Sequence, residues 1–219
     1  ERNVPMFGGY KFDPKDDFLN KEKINWVSIE EQLLSIEHLI KAGKVRYFAL
    51  SNEWPWGLME FIRLAKIKNL PLVCTLQNSY SLINRIVELG MTEIFFREKL
   101  SFFSYSPLGF GHLSGKYLKD PRAAGRINLF PGYAQRYNKS GVEKAIEKYD
   151  ALAAKRNLSL TDLALSFVYS QWFVTSTVIG ATNIKQLKQN IAAYGLDIVD
   201  EELIQEIDAI HLDVMNPAP

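Results

Sequence analysis

Four short apolar runs, each followed by a helical pattern, constrain this chain more than any other feature. They cover residues 45–50, 72–76, 100–104 and 175–179. A strand that is apolar along nearly its whole length is buried on both faces, which calls for a parallel sheet covered by helices. The intervening segments have helical periodicity. Ser28 and Glu31 stand at capping-box spacing before an apolar face of Ile29, Leu33, Ile36, Leu39 and Ile40, and Gly43 follows as a stop. Pro55 opens a second helix carried by Leu58, Phe61, Ile62 and Ala65. A weaker helix within 84–98 is interrupted near Gly90. Helices follow over 142–155, 160–170, 183–194 and 201–211, and the second of these is apolar on most sides, so it belongs in the core. The expected organisation is a single α/β domain over 1–219, with a long loop over 1–27 and four β/α units plus a closing helix over 28–219.

Every one of the four strands ends in polar or glycine residues: Ser51-Asn52, Gln77-Asn78, Tyr105-Ser106 and Gly180-Ala-Thr182. In a (β/α) barrel all such ends converge on one mouth, whereas in a doubly wound sheet only the switch-point loops matter. Four polar ends in succession favour the barrel. A full barrel needs eight strands, so the expectation is about half of one.

The third strand runs into Phe103-Ser-Tyr-Ser-Pro-Leu-Gly-Phe-Gly-His-Leu-Ser-Gly-Lys-Tyr117. Gly109, Gly111 and Gly115 let backbone approach a ligand closely, and unpaired N–H groups beside Lys116 suit an anion such as a phosphate. The plainer alternative is a tight connection after a strand. Net charge is only +1, with basic and acidic residues interspersed, which argues against nucleic acid or an anionic membrane. The one cysteine, Cys74, lies in an apolar run and reads as a small buried hydrophobe; a single cysteine founds neither a disulfide nor a zinc site. No apolar stretch reaches transmembrane length, and the polar start is neither signal nor transit peptide, so the cytoplasm is the expected location.

With Tyr105-Ser-Pro-Leu-Gly-Phe-Gly111 in place, the chain resembles the aldo-keto reductases. It is most similar to their bacterial Tas-like branch, which is related to the potassium-channel β subunits. The shared motifs run from Val4-Pro-Met-Phe-Gly8 to Pro217-Ala-Pro219. Between them, in family order, come Gly43-Lys-Val-Arg-Tyr47, Leu50-Ser-Asn52, Gln77-Asn-Ser-Tyr-Ser-Leu-Ile-Asn-Arg85, Gly115-Lys-Tyr117, Gly125-Arg126 and Ile179-Gly-Ala-Thr-Asn183 with Gln186 to Asn190. The resemblance implies a (β/α)8 barrel of which this chain matches the C-terminal part. It also implies hydride transfer from NADP(H) to a small aldehyde or ketone.

On the same resemblance, Ser51, Asn52 and Gln77 hydrogen-bond the nicotinamide carboxamide and Tyr105 stacks on its ring. Ser106, Pro107, Leu108, Gly109 and Gly111 line the pyrophosphate, with Lys116 and Arg126 supplying positive charge. Gly180, Thr182, Gln186, Gln189 and Asn190 hold the adenosine half. Strand-end capping for the first group, core packing for Tyr105 and a solvated surface for Lys116 are the bland alternatives. Many relatives carry a basic residue where Gln186 stands, so the preference for NADP(H) over NAD(H) stays open.

The family's catalytic tyrosine, lysine, aspartate and histidine fall, by the same resemblance, upstream of Glu1. His38, His112 and His211 are poor substitutes, and no catalytic or metal-binding residue is assigned here. Two functions follow as expectations. One is the cofactor-binding half of a reductase, inactive by itself. The other is a non-catalytic nucleotide-binding or structural half-barrel that pairs with another chain, or with itself through its unpaired edges.

Overall fold

The computed structural model describes residues 27–130, 132 and 135–219. All but the last residue of the expected opening loop, and with it the Val4-Pro-Met-Phe-Gly8 motif, lies outside the described residues. The first helix, α1, spans Ile29–Lys41, and the Ser28 hydroxyl accepts from the Glu31 amide at 3.1 Å as the capping spacing requires. Strand β1 (Ala49–Ser51) leads to α2 (Pro55–Lys68), which has Pro55 at its first turn. Strand β2 (Thr75–Ser79) is followed by a 3-10 turn, Ile86–Leu89, and then by α3 (Thr92–Glu98), with Gly90 at the break. Strand β3 (Ser101–Tyr105) enters the glycine-rich stretch, where a 3-10 turn at Gly109–Ser114 and two one-turn helices, α4 (Lys116–Lys119) and α5 (Arg126–Leu129), follow. The rest is α6 (Ser140–Lys155), α7 (Leu160–Tyr169), β4 (Ser176–Val178), α8 (Ile184–Ala192) and α9 (Glu201–Asp213).

The four strands form one sheet in the order β1-β2-β3-β4, and every neighbouring pair is parallel. Sequence neighbours are therefore sheet neighbours, with no reversal of order. A doubly wound sheet needs such a reversal and a barrel does not. Among the described residues the sheet stops at four strands.

The sheet's helical cover is a single core. Leu33, Leu58, Leu76, Phe102, Leu163 and Val168 are fully buried. Rings of Phe95 and Phe102 stack at 5.0 Å, and Tyr80 packs on Phe167 and Phe173 at 5.8 and 5.2 Å. Helix α7 is buried from Leu160 to Val168 except at Asp162, in accord with its apolar sequence. Fully burying one such leucine or phenylalanine contributes about 1.5–3 kcal/mol.

Two expectations need correction. Burial on both faces is only partial in the middle of the sheet, where β3 alternates buried with half-buried residues, and fails at its edges: Ala49 and Ser51 of β1, and Ser176 and Val178 of β4, are exposed. Each edge strand lacks a neighbour on one side, so its side chains have fewer atoms to pack against. Cys74 is exposed as well, and its thiol donates to the Phe48 carbonyl at 3.0 Å. It lies where the chain approaches β2, next to the uncovered β1 edge.

Candidate functional site

Parallel register gathers the polar strand ends. Ser51 is the register partner of Gln77, Ser79 of Tyr105, and Tyr105 of Val178. Residues tens of positions apart thus meet at the carboxyl edge of the sheet. The Ser51 hydroxyl donates to the Gln77 carbonyl at 3.1 Å, and the Asn52 amide N–H donates to the same oxygen at 3.0 Å. The Asn52 side-chain amide donates to Ser51 Oγ at 3.3 Å, and the Tyr105 hydroxyl donates to Asn52 Oδ1 at 2.6 Å. Ser51, Asn52, Gln77 and Tyr105 are therefore one connected set. Part of their bonding capacity already ties the strand ends together, as the capping alternative holds.

Beyond Tyr105 the backbone turns left-handed repeatedly. Ser106 has φ 54°, Gly109 51°, Phe110 56° and Gly111 95°. Successive turns of this kind aim N–H groups into a common concavity suited to an anion. The Gly109 N–H donates to the Ser106 carbonyl and the Gly111 N–H to the Leu108 carbonyl, both at 2.9 Å, so the loop is held in shape from within. A Cβ at Gly109 would stand 2.8 Å from Ile83 Cδ1, closer than side-chain carbons pack. Pro107 and Gly109 are buried, while Ser106, Leu108 and Gly111 are half-buried.

Lys116 and Arg126 both fold onto this loop. The Lys116 ammonium donates to the Ala124 carbonyl at 3.2 Å and lies 4.7 Å from the centre of the Tyr117 ring. The Arg126 guanidinium sits 4.8 Å from the centre of the Phe110 ring. Gly125 lets the two segments close, because a Cβ there would collide with Lys116 Nζ and the Tyr117 hydroxyl.

The last set gathers around the turn between β4 and α8. Asn183 caps α8 by accepting from the Gln186 amide at 2.9 Å. Gln186 Oε1 accepts from both the Thr182 N–H and the Thr182 hydroxyl at 2.9 Å, and buried Asn190 donates to the Gly180 carbonyl at 3.1 Å. Gln189 departs from the group: its amide donates to Ser159 Oγ at 3.2 Å, at the cap of α7. The i,i+4 pair Gln186 and Asn190 thus clamps the turn, and Gln189 faces a different neighbour.

Two residues escaped the sequence reading. Arg136 and Tyr137 lie in a segment whose Gly, Pro, Arg and Asn content reads as a connection, yet both are buried. Arg136 donates to the Tyr137 hydroxyl at 3.0 Å and to Ser79 Oγ at 3.5 Å. Burial raises the Tyr137 phenol above its ordinary range, and Arg136, Ser79 and Ser106 pull it back down. No local signal marks them, because their partners sit on β2 and in the loop. His112 is held neutral: burial, helped by the charge on Lys116, lowers its pKa to about 4. A cleft of about 430 Å³ opens between the loop and α6, lined by His112, Tyr117, Tyr137, Ser140, Glu143 and Ile146. None of the residues expected to hold cofactor lines it.

The fold and this edge define a parallel α/β protein with a glycine-rich, cation-flanked loop after its third strand. Residues 11–211 match the profile of the aldo/keto reductase family. The chain is 39% identical over 193 residues to "Protein tas" of Escherichia coli (strain K12), covering 88% of this chain and 56% of that protein. It is 36% identical over 226 residues to an aldo-keto reductase of Babesia bovis, covering 99% of this chain and 79% of that one. An L-glyceraldehyde 3-phosphate reductase of Escherichia coli (strain K12) is 28% identical over 183 residues, 81% of this chain and 53% of that enzyme. The chain belongs to the aldo/keto reductase family of oxidoreductases. It spans little more than half the length of Tas. No helix among the described residues is long and apolar enough to cross a membrane.

Proposed function

We propose that this chain is the cofactor-binding part of an NADP(H)-dependent reductase of the Tas-like branch, acting on a small aldehyde or ketone in the cytoplasm. In this reading its four β/α units are the last four of a (β/α)8 barrel. One observation carries it. The linked set Ser51, Asn52, Gln77 and Tyr105 adjoins a left-handed loop at one sheet edge, with two cations folded over that loop.

The residues fit a nicotinamide dinucleotide. An amide and short hydroxyls can pair with a carboxamide, and the left-handed turns of residues 106–111, flanked by Lys116 and Arg126, suit a pyrophosphate. The bound cofactor supplies a hydride for carbonyl reduction. Tyr105 would fix which face of the nicotinamide ring is open, and Ser51, Asn52 and Gln77 would set its rotation. Lys116 and Arg126 would balance phosphate charge, with Gly125 allowing the approach. At the adenosine end an anion would have to displace Gln186 Oε1 from the Thr182 N–H. Gln186 is neutral, so discrimination between NADP(H) and NAD(H) by charge is weak at this position. No residue of this chain is assigned as the proton donor to the carbonyl oxygen; that acid belongs to residues outside the four units described.

A second reading, a non-catalytic half-barrel that pairs with another chain, is favoured by the exposed residues of β1 and β4. Titrating the chain with NADPH and NADH by fluorescence, followed by an assay with aldehyde, separates the two. Binding without turnover is expected. Failure to bind either dinucleotide would overturn the cofactor role, and turnover by this chain alone would overturn the absence of the acid.

A further inference from the structure

Arg136 and Tyr137 occupy a 3-10 turn, Gln135–Tyr137, inside a polar connection, yet they are only 6% and 2% exposed. A buried guanidinium is costly unless it is well partnered. Here it donates to the Tyr137 hydroxyl and to Ser79 Oγ, and it lies 4.9 Å from the centre of the Tyr137 ring. Through Arg136 the Tyr137 hydroxyl is thus tied to the Ser79 side chain. Ser79 is the last residue of β2, and Ser106 is the first left-handed residue after β3. The Arg136–Tyr137 pair therefore joins the end of a strand to the loop that follows β3.

The ring of Tyr137 touches the loop at three further places. It packs on Phe110 at 5.1 Å and stacks on His112 at 5.6 Å. A Cβ at Gly109 would stand 3.4 Å from Tyr137 Cε1, so the ring lies against that residue, while Ile83 and the positive φ are what limit it to glycine. Ser106 and Phe110 keep positive φ although neither is glycine, and such backbone persists only where its surroundings over-determine it. Tyr137 supplies a large part of those surroundings.

We infer that Tyr137, held by Arg136, is the positioning residue that sets the left-handed run 106–111 for binding the phosphates of the cofactor. The inference rests on the proposed dinucleotide site, but its structural half stands separately. Arg136 has a second effect. Its guanidinium does not lose its proton, so it places a fixed positive charge close to the start of the loop. Tyr137 touches no reacting atom and acts through the loop.

Tyr137→Phe tests this, since it keeps the ring and removes the hydroxyl. Amide hydrogen exchange in residues 106–112 of the free protein should quicken about tenfold, as for loss of a hydrogen bond to a charged group, while β2 and β3 keep their protection. Fluorescence titration should show NADPH binding weakened by a similar factor. Arg136→Lys, which keeps the charge and loses the fork, should fall between wild type and Arg136→Met. Unchanged exchange at 106–112 in Tyr137→Phe, or equal acceleration across the whole sheet, would overturn the positioning role even if Arg136→Met failed to fold. A wild-type protein that does not bind NADPH would sink the dinucleotide reading, and the exchange pattern would still decide whether Tyr137 positions the loop.

Discussion

Asn52 and Ser106 hold two strand ends of the site in left-handed backbone, at φ 57° and 54°. At Asn52 the conformation and the hydrogen bond to Tyr105 can be separated. Asn52→Gly loses the side-chain bonds to Ser51 and Tyr105, each worth about 1 kcal/mol, but also removes the Cβ that left-handed backbone disfavours. Asn52→Ala loses the same bonds but keeps a Cβ in left-handed backbone, so it should be about 1–2 kcal/mol less stable than the glycine variant. Urea denaturation should therefore rank Asn52→Gly above Asn52→Ala; equal stability of the two variants would mean that the backbone is not strained there. His112 makes a different prediction. Its folded pKa of about 4 is below the ordinary value of 6.5, so the unfolded chain takes up this proton first as pH falls. The stabilisation is complete above about pH 7, declines through the window from 6.5 to 4, and levels off below that. His211, also lowered by burial, acts in the same direction. His112→Gln should flatten the fall in denaturation midpoint between pH 7 and 4 without abolishing it. An unchanged slope would show that His112 is not held neutral by burial.

At the scale of elements, the chain's end is fastened to the segment after β2. The Arg85 amide donates to Asn216 Oδ1 at 2.6 Å, and the Ala218 amide donates to the Ile83 carbonyl at 3.1 Å. The Arg85 guanidinium reaches both Glu88 and Asp208 at 2.7 Å, joining the 3-10 turn Ile86–Leu89 to α9. Asn216→Ala leaves a buried N–H without its acceptor, at a cost of about 1–3 kcal/mol. Its melting temperature should fall by roughly 2–4 °C per kcal/mol lost, as for chains of this size. A melting curve superimposable on wild type would show that the tail does not clasp the core. Elements of this kind differ in how far the sequence reveals them. The caps at Ser28 and Pro55 and the break at Gly90 are local, and the structure has them where the residues ask for them. Strand limits are not local. The run 45–50 is apolar enough for a strand, but the ladder begins only at Ala49, where Thr75 becomes its partner, and Tyr47 is 77% exposed. Arg136 and Tyr137 were illegible for the same reason, since the residues they meet, Ser79, Phe110 and His112, lie well upstream in the chain. The strand ends that the motifs mark do lie side by side at one edge of the sheet, while Gln189 turns to a different neighbour.

For the whole molecule, the unfinished part is the flank beside β4. Val178 on that edge is exposed, and Ile184, Leu187 and Ile191 recur along α8 at spacings of three and four, all exposed. Tyr194 continues the line at 77% exposure. A helix normally turns such a stripe towards a neighbour, and a parallel strand normally has a partner on each side. On the opposite flank β1 is also exposed, and Leu34 of α1 is 47% exposed. Among the described residues both flanks thus combine an unpaired parallel edge with apolar helix surface, a pairing that drives association in water. The 219-residue chain by itself should accordingly sediment as a concentration-dependent mixture larger than a monomer. Replacing Leu187 and Ile191 with lysine should shift that mixture towards monomer while leaving NADPH affinity unchanged, because neither residue belongs to the proposed site. A wild-type chain that remains monomeric at every concentration would mean that these flanks are tolerated in water. In that event the pairing reading loses its support, whereas the cofactor-binding reading, which depends on the carboxyl edge of the sheet, is unaffected.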